Sequence, residues 1–216
     1  MWLTSLCMKI KPEELSKNNF VLLDTMLHGE LIAFVKSYLN KRTFAATTYY
    51  GSMLIAFTAA IFFAARSCAL KELSISSAVG YGIGGFISAF ILIPFHELIH
   101  ALAYKIQGAK NTSYAMNLKK FYFLAMADQF IASRVEFRIV ALAPFIIISS
   151  LLVVIAFVST AGTSILALSA LTVHSSFCSG DFALLSYFEL HPDKEVITYD
   201  DKENRISYFY GRIPLK

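Results

Sequence analysis

Charge is what this chain has little of. Asp, Glu, Lys and Arg make up 16% of its 216 residues against 56% hydrophobic, and mean hydropathy is +0.59. A soluble globular domain carries about 25% charged residues, so the balance points to an integral membrane protein. Cysteine is also sparse. Cys7, Cys68 and Cys178 stand in three separate regions, which excludes a spaced disulfide framework and a CxxC metal site. The net charge of +4 is small and scattered, so nucleic acid is not an expected partner. No cleavable leader is expected, because the apolar run at residues 1–6 is short and Lys9, Lys11, Glu13 and Glu14 follow at once. Internal repeats and low-complexity tracts are lacking too.

Long apolar runs are what the chain has instead. Four segments meet the requirement of about 20 residues for a bilayer span: about Phe44–Ala65, Ser76–Tyr104, Phe137–Val158 and Thr163–Phe188. The expected fold is all-α and integral to the membrane, with about four transmembrane helices. Residues 1–43 form an N-terminal cytoplasmic or interfacial segment, 44–190 the four-span domain, and 191–216 a cytoplasmic tail. Pro12-Glu13-Glu14 reads as a helix start. From Phe20 to Leu39 apolar residues recur at helical spacing, which predicts an amphipathic helix with His28 facing solvent. Thr112–Asn117 and Phe121–Ala125 around Leu118-Lys119-Lys120 predict a short hairpin, and Val196–Tyr199 with Ile206–Tyr210 predict another. Seventeen of nineteen Lys and Arg residues fall before the first span, around the second connection, or after the fourth span. The positive-inside rule then puts both termini and both hairpins on the cytoplasmic side of a multi-pass cell-membrane protein.

The second span carries His96-Glu97-Leu98-Ile99-His100. Positions four apart on a helix differ by about 40° of rotation, so both imidazoles share a face. Glu97 falls within about 60° of His100 on that side. Two neutral imidazoles can hold Zn²⁺ while the carboxylate serves as general base. This composition would produce roughly 0.005 such patterns by chance. The alternative is a pair of histidines satisfied by neighbouring helices, which is expensive for three polar side chains in apolar surroundings.

A catalytic zinc usually has three protein ligands. Asp181 is the candidate third, being the only acid within the body of the fourth span. His96 lies twenty residues past Ser76 and Asp181 eighteen past Thr163. At 1.5 Å per residue their depths differ by about 3 Å. His174, two turns before Asp181, could replace it as ligand or orient substrate or ligand by a hydrogen bond. Glu189 lies nearer the membrane exit and is expected to be solvated. Cys178 reads as a small buried side chain. Pro94 removes a helix hydrogen bond just ahead of the motif and could admit water. Gly80-Tyr81-Gly82-Ile83-Gly84-Gly85 matches a nucleotide-loop pattern but opens an apolar span. Close helix packing through Gly80 and Gly84 is the better reading.

Three elements carry a resemblance: His96-Glu97-Leu98-Ile99-His100-Ala101, Ala141-Leu142-Ala143-Pro144, and His174-Ser175-Ser176-Phe177-Cys178-Ser179-Gly180-Asp181. Over about residues 75–190 the chain resembles the small bacterial membrane proteins grouped as putative zincin peptidases. Its layout is also similar to that of site-2 intramembrane metalloproteases. The resemblance implies His96, His100 and Asp181 as zinc ligands and Glu97 as catalytic base. It also implies the 112–125 hairpin as an edge that pairs with substrate. The chain lacks the Asn-Pro element that site-2 enzymes carry before the aspartate, and has His174 in that neighbourhood.

The expected activity is therefore zinc-dependent hydrolysis of peptide bonds in membrane or membrane-proximal proteins. One rival is a non-proteolytic membrane protein with a structural metal site, such as an immunity or regulatory factor. Another is a metal or proton transporter. The expected partners are the lipid bilayer and a protein or peptide substrate.

Overall fold

A computed structural model describes residues 11–117 and 122–213. The chain forms two compact units. One comprises Met1–Ala46, Glu97–Ala143 and Gly180–Lys216, the other Thr47–His96 and Pro144–Ser179.

The first unit corrects the all-α expectation, because it contains a four-stranded antiparallel sheet. Its strands are β1 (Val21–Leu27), β4 (Ala132–Ser133), β5 (Glu195–Asp201) and β6 (Ile206–Arg212), in the order β1-β6-β5-β4. The C-terminal hairpin is present, paired from Glu195↔Arg212 to Asp201↔Ile206. β6 also pairs with β1, from Val21↔Gly211 to Leu27↔Ile206. A second, two-stranded sheet joins β2 (Thr112–Asn117) to β3 (Tyr122–Ala127), as the alternation there implied. The expected connection at Leu118–Lys120 lies outside the described residues.

The expected amphipathic helix over Phe20–Leu39 is half strand. Only Leu31–Leu39 is α-helical (α1), after β1 and a 3₁₀ turn at His28–Glu30. A short apolar run such as Val21-Leu22-Leu23 satisfies either period, and pairing with β6 decides between them. That pairing also overturns the solvent-facing His28, which is 1% exposed. Its backbone N–H donates to the Arg205 carbonyl at 2.9 Å, and its Nε2 lies 3.2 Å from Ser207 Oγ. Burial, with Arg205 nearby, holds its imidazole below the ordinary value. Phe34 of α1 stacks on Phe209 of β6, and Leu15, Phe20, Ile131 and Ile197 close a small core.

Among the described residues, three helices are long and apolar enough to cross a membrane: α2 (Phe44–Ala69), α3 (Ile75–Ile106) and α4 (Arg134–Val158). Each exceeds its expected bounds by a few residues at one or both ends. α4 starts at a capping box. The Ser133 N–H donates to Glu136 Oε2 at 2.8 Å, and the Glu136 N–H returns to Ser133 Oγ at 3.4 Å. The Glu189 carboxylate, expected to be solvated, accepts the Ala45 N–H at the start of α2. α3 stays helical through Pro94. Phe57, Ile61, Ile83, Ile91, Ile147 and Val154 are all exposed. So much exposed apolar surface in long helices suits lipid rather than water.

The expected fourth span is broken. α5 (Ala161–Phe177) and α6 (Ser179–Glu189) bend by 47° at Cys178. Cys178 has ψ 6°, outside the helical basin. The described residues thus hold three candidate spans, or four if the bent pair crosses as one.

Within the second unit, close approach falls at Gly85 rather than at Gly80 or Gly84. A Cβ on Gly85 would run into the Leu166 carbonyl oxygen and lie 2.7 Å from Ser169 Cβ. At Gly80 it would meet nothing within 4 Å, and at Gly84 only Leu166 Cδ1 at 3.6 Å. One residue turns a helix by about 100°, which moves the contact from one glycine to the next.

Candidate metal centre

α3 carries His96, Glu97 and His100, with both histidines buried and Glu97 half-buried. The two imidazoles stand one turn apart on this helix and meet different neighbours.

His100 lies in the first unit and is 7% exposed. Its Nδ1 donates to the Val140 carbonyl at 3.0 Å. That carbonyl is available because Pro144, four residues on, has no N–H to complete the helical bond. A carbonyl only accepts, so the contact puts a ring proton on Nδ1 and leaves Nε2 to meet a second partner. Nε2 faces Asp181 Oδ1 at 3.1 Å. A ring nitrogen and a carboxylate oxygen at that distance share either a proton or a metal ion. Nitrogen and oxygen ligands on a tetrahedral zinc are separated by about 3.3 Å, from bond lengths of about 2.0–2.1 Å. Anchoring a ligand histidine through its other nitrogen to a carbonyl is also what metal sites use to fix ring orientation. Asp181 lies in the first turn of α6, where the helix dipole favours its negative charge.

His96 and His174 lie in the second unit. Their rings face each other edge to face, with His96 Nδ1 3.3 Å from His174 Nε2. Cys178 follows one turn after His174, fully buried, and its thiol donates to the His174 carbonyl at 3.4 Å. The donor atoms of His96, His174 and Cys178 all lie within 4.8 Å of one another.

The structure therefore joins His100 to Asp181 and His96 to His174. Two participants carry little signature in the sequence. Cys178 reads there as a small buried side chain, although its i, i+4 spacing from His174 is a legible signal. The Val140 carbonyl has no side-chain signature, and Pro144 is the residue that exposes it. The donor chemistry of imidazoles, carboxylate and an adjacent glutamate fits zinc.

Residues 89–195 match the family model described as "Putative zincin peptidase". The matched segment contains His96, Glu97, His100, His174 and Asp181. No curated protein and no solved structure matches the chain.

Proposed function

We propose, because residues 89–195 match the putative zincin peptidase family model, that the chain is a membrane-embedded zinc metallopeptidase acting on membrane or membrane-proximal proteins. The observation that carries this reading is His100 Nε2 held against the Asp181 carboxylate at 3.1 Å. His96, one turn earlier on α3, completes the ligand set in this proposal. When bound, zinc supplies Lewis acidity, making water a nucleophile near neutral pH and polarising a carbonyl.

The chain's own residues do the rest. Val140 fixes the His100 ring through Nδ1. Glu97, half-buried beside His96, removes the proton from the attacking water and returns it to the departing amine. The exposed apolar faces of α2, α3 and α4 keep the centre within the bilayer. The crowding of basic residues into the termini and the second connection supports cytoplasmic termini.

The test is Glu97→Gln in the full chain, purified in mild detergent, with zinc content and cleavage of membrane-derived peptides measured together. Zinc should remain bound while cleavage falls by about 10²–10⁴. Cleavage at the wild-type rate would end the mechanism.

One observation favours a second reading, a structural metal in a non-proteolytic protein. His174 lies 3.3 Å from His96 and could close the coordination shell. Under that reading no catalytically competent peptide turnover occurs, and His174→Ala lowers zinc content as much as His100→Ala does.

A further inference from the structure

Within the unit formed by residues 47–96 and 144–179, three buried side chains converge, and two of them, His174 and Cys178, are not used by the hydrolytic set. His96 and His174 present nitrogens 3.3 Å apart, and Cys178 brings a sulfur within 4.8 Å of both donors. About 3.3 Å is also the separation of two imidazole nitrogens on a tetrahedral zinc with bonds of about 2.0–2.1 Å. A thiolate, at about 2.3 Å from such an ion, would need only a small side-chain adjustment. Exposures of 6%, 0% and 0% for His96, His174 and Cys178 keep competing water away.

The local fold explains the convergence. His174 and Cys178 are four residues apart, so the last turn of α5 stacks them on one face. The chain leaves helical geometry at Cys178 itself, which frees that backbone to adjust on binding. Two imidazoles and a thiol make a softer donor set than His96, His100 and Asp181. Soft sets select zinc, cadmium, cobalt or copper(I) over magnesium and calcium.

We propose that His96, His174 and Cys178 form a second, thiolate-containing metal site for a thiophilic cation. Binding forms the metal–sulfur bond and expels the thiol proton to solvent, breaking its hydrogen bond to the His174 carbonyl. His96 is common to both donor sets, so an ion held here draws on the same imidazole as the hydrolytic zinc. The site itself does not depend on the peptidase reading, because neither His100 nor Asp181 belongs to it.

The test uses the full chain in detergent with Cys7→Ser and Cys68→Ser, leaving Cys178 as the only thiol. Loaded with two equivalents of cobalt(II), it should show a near-ultraviolet thiolate-to-cobalt charge-transfer band. Further change of Cys178→Ser or His96→Ala should abolish the band, and His100→Ala should leave it in place. Absence of the band in the Cys178-only protein, or its survival in Cys178→Ser, overturns the proposal. X-ray absorption of the wild type with two equivalents of zinc avoids any question of variant folding. A sulfur shell at about 2.3 Å is expected, and a shell of nitrogen and oxygen alone overturns the site. Failure of the hydrolytic reading would show instead as unchanged zinc content in His100→Ala and Asp181→Ala.

Discussion

Changing Asp181 to Asn should separate the fold of the metal centre from its occupancy. Asp181 Oδ1 lies 3.1 Å from His100 Nε2, and the other ring nitrogen is committed to Val140. In Asp181→Asn the amide can donate to the Nε2 lone pair, so the metal-free protein keeps a hydrogen bond there worth about 1 kcal/mol. What it loses is the negative charge that holds a cation. Zinc at about 100 times its Kd stabilises a protein by about 2.7 kcal/mol. For a chain of this length each kcal/mol moves Tm by about 2–4 °C. With the thiolate site removed by Cys178→Ser, the chain with Asp181 intact should therefore melt about 5–10 °C higher in zinc than in chelator, and the same chain with Asp181→Asn should shift by less than about 2 °C. Thermal unfolding in detergent micelles, followed with zinc and with chelator, reads both numbers. An Asp181→Asn chain that shifts as far as the one with Asp181 intact would show that the carboxylate holds no metal.

Two further perturbations address the scaffold. Gly85→Ala drives a methyl into the Leu166 carbonyl and to 2.7 Å from Ser169 Cβ, against a normal carbon contact of about 3.5–4.0 Å. It should cost about 1–3 kcal/mol, whereas Gly80→Ala, with open space around it, should be neutral or stabilise by up to about 1 kcal/mol. Equal losses of thermal stability in the two variants would disprove close packing at Gly85. Asp200 lies on β5, where burial and then Asp128 push its carboxyl up to about 6 against the hydrogen bond from Ser207. The folded protein holds that proton more tightly than the unfolded chain. The ionised group therefore destabilises the fold above about pH 6, and the penalty is relieved as pH falls towards 3.8. Asp200→Asn should gain about 1–3 kcal/mol at pH 7.5 and flatten the stability curve between about pH 4 and pH 6. Denaturant titrations across that range check it, and an unchanged curve would mean the carboxyl is solvated.

Particular elements show where the sequence was legible. α2, α3 and α4 were recoverable to within a few residues, because each is an apolar run too long for a strand. Both hairpins were visible in their alternation, since a period of two belongs to strands alone. β1 was not, because seven residues that are apolar apart from Asp24 and Thr25 fit a strand or a helix equally well until a partner is known. The break at Cys178 was hidden for a related reason. The run from Thr163 to Phe188 is apolar enough overall to read as one span, and hydropathy does not register a single residue with ψ near zero.

The sequence by itself determined which chemistry is available: two imidazoles and a carboxylate at helical spacing, inside an apolar segment, whose relative placement follows from the geometry of one helix. Only the tertiary structure decided which distant donor each imidazole meets, His100 with Asp181 and Val140, His96 with His174. Helical periodicity fixes the face on which a side chain stands. What lies opposite that face is set by contacts between residues far apart in the chain, and those leave no local pattern.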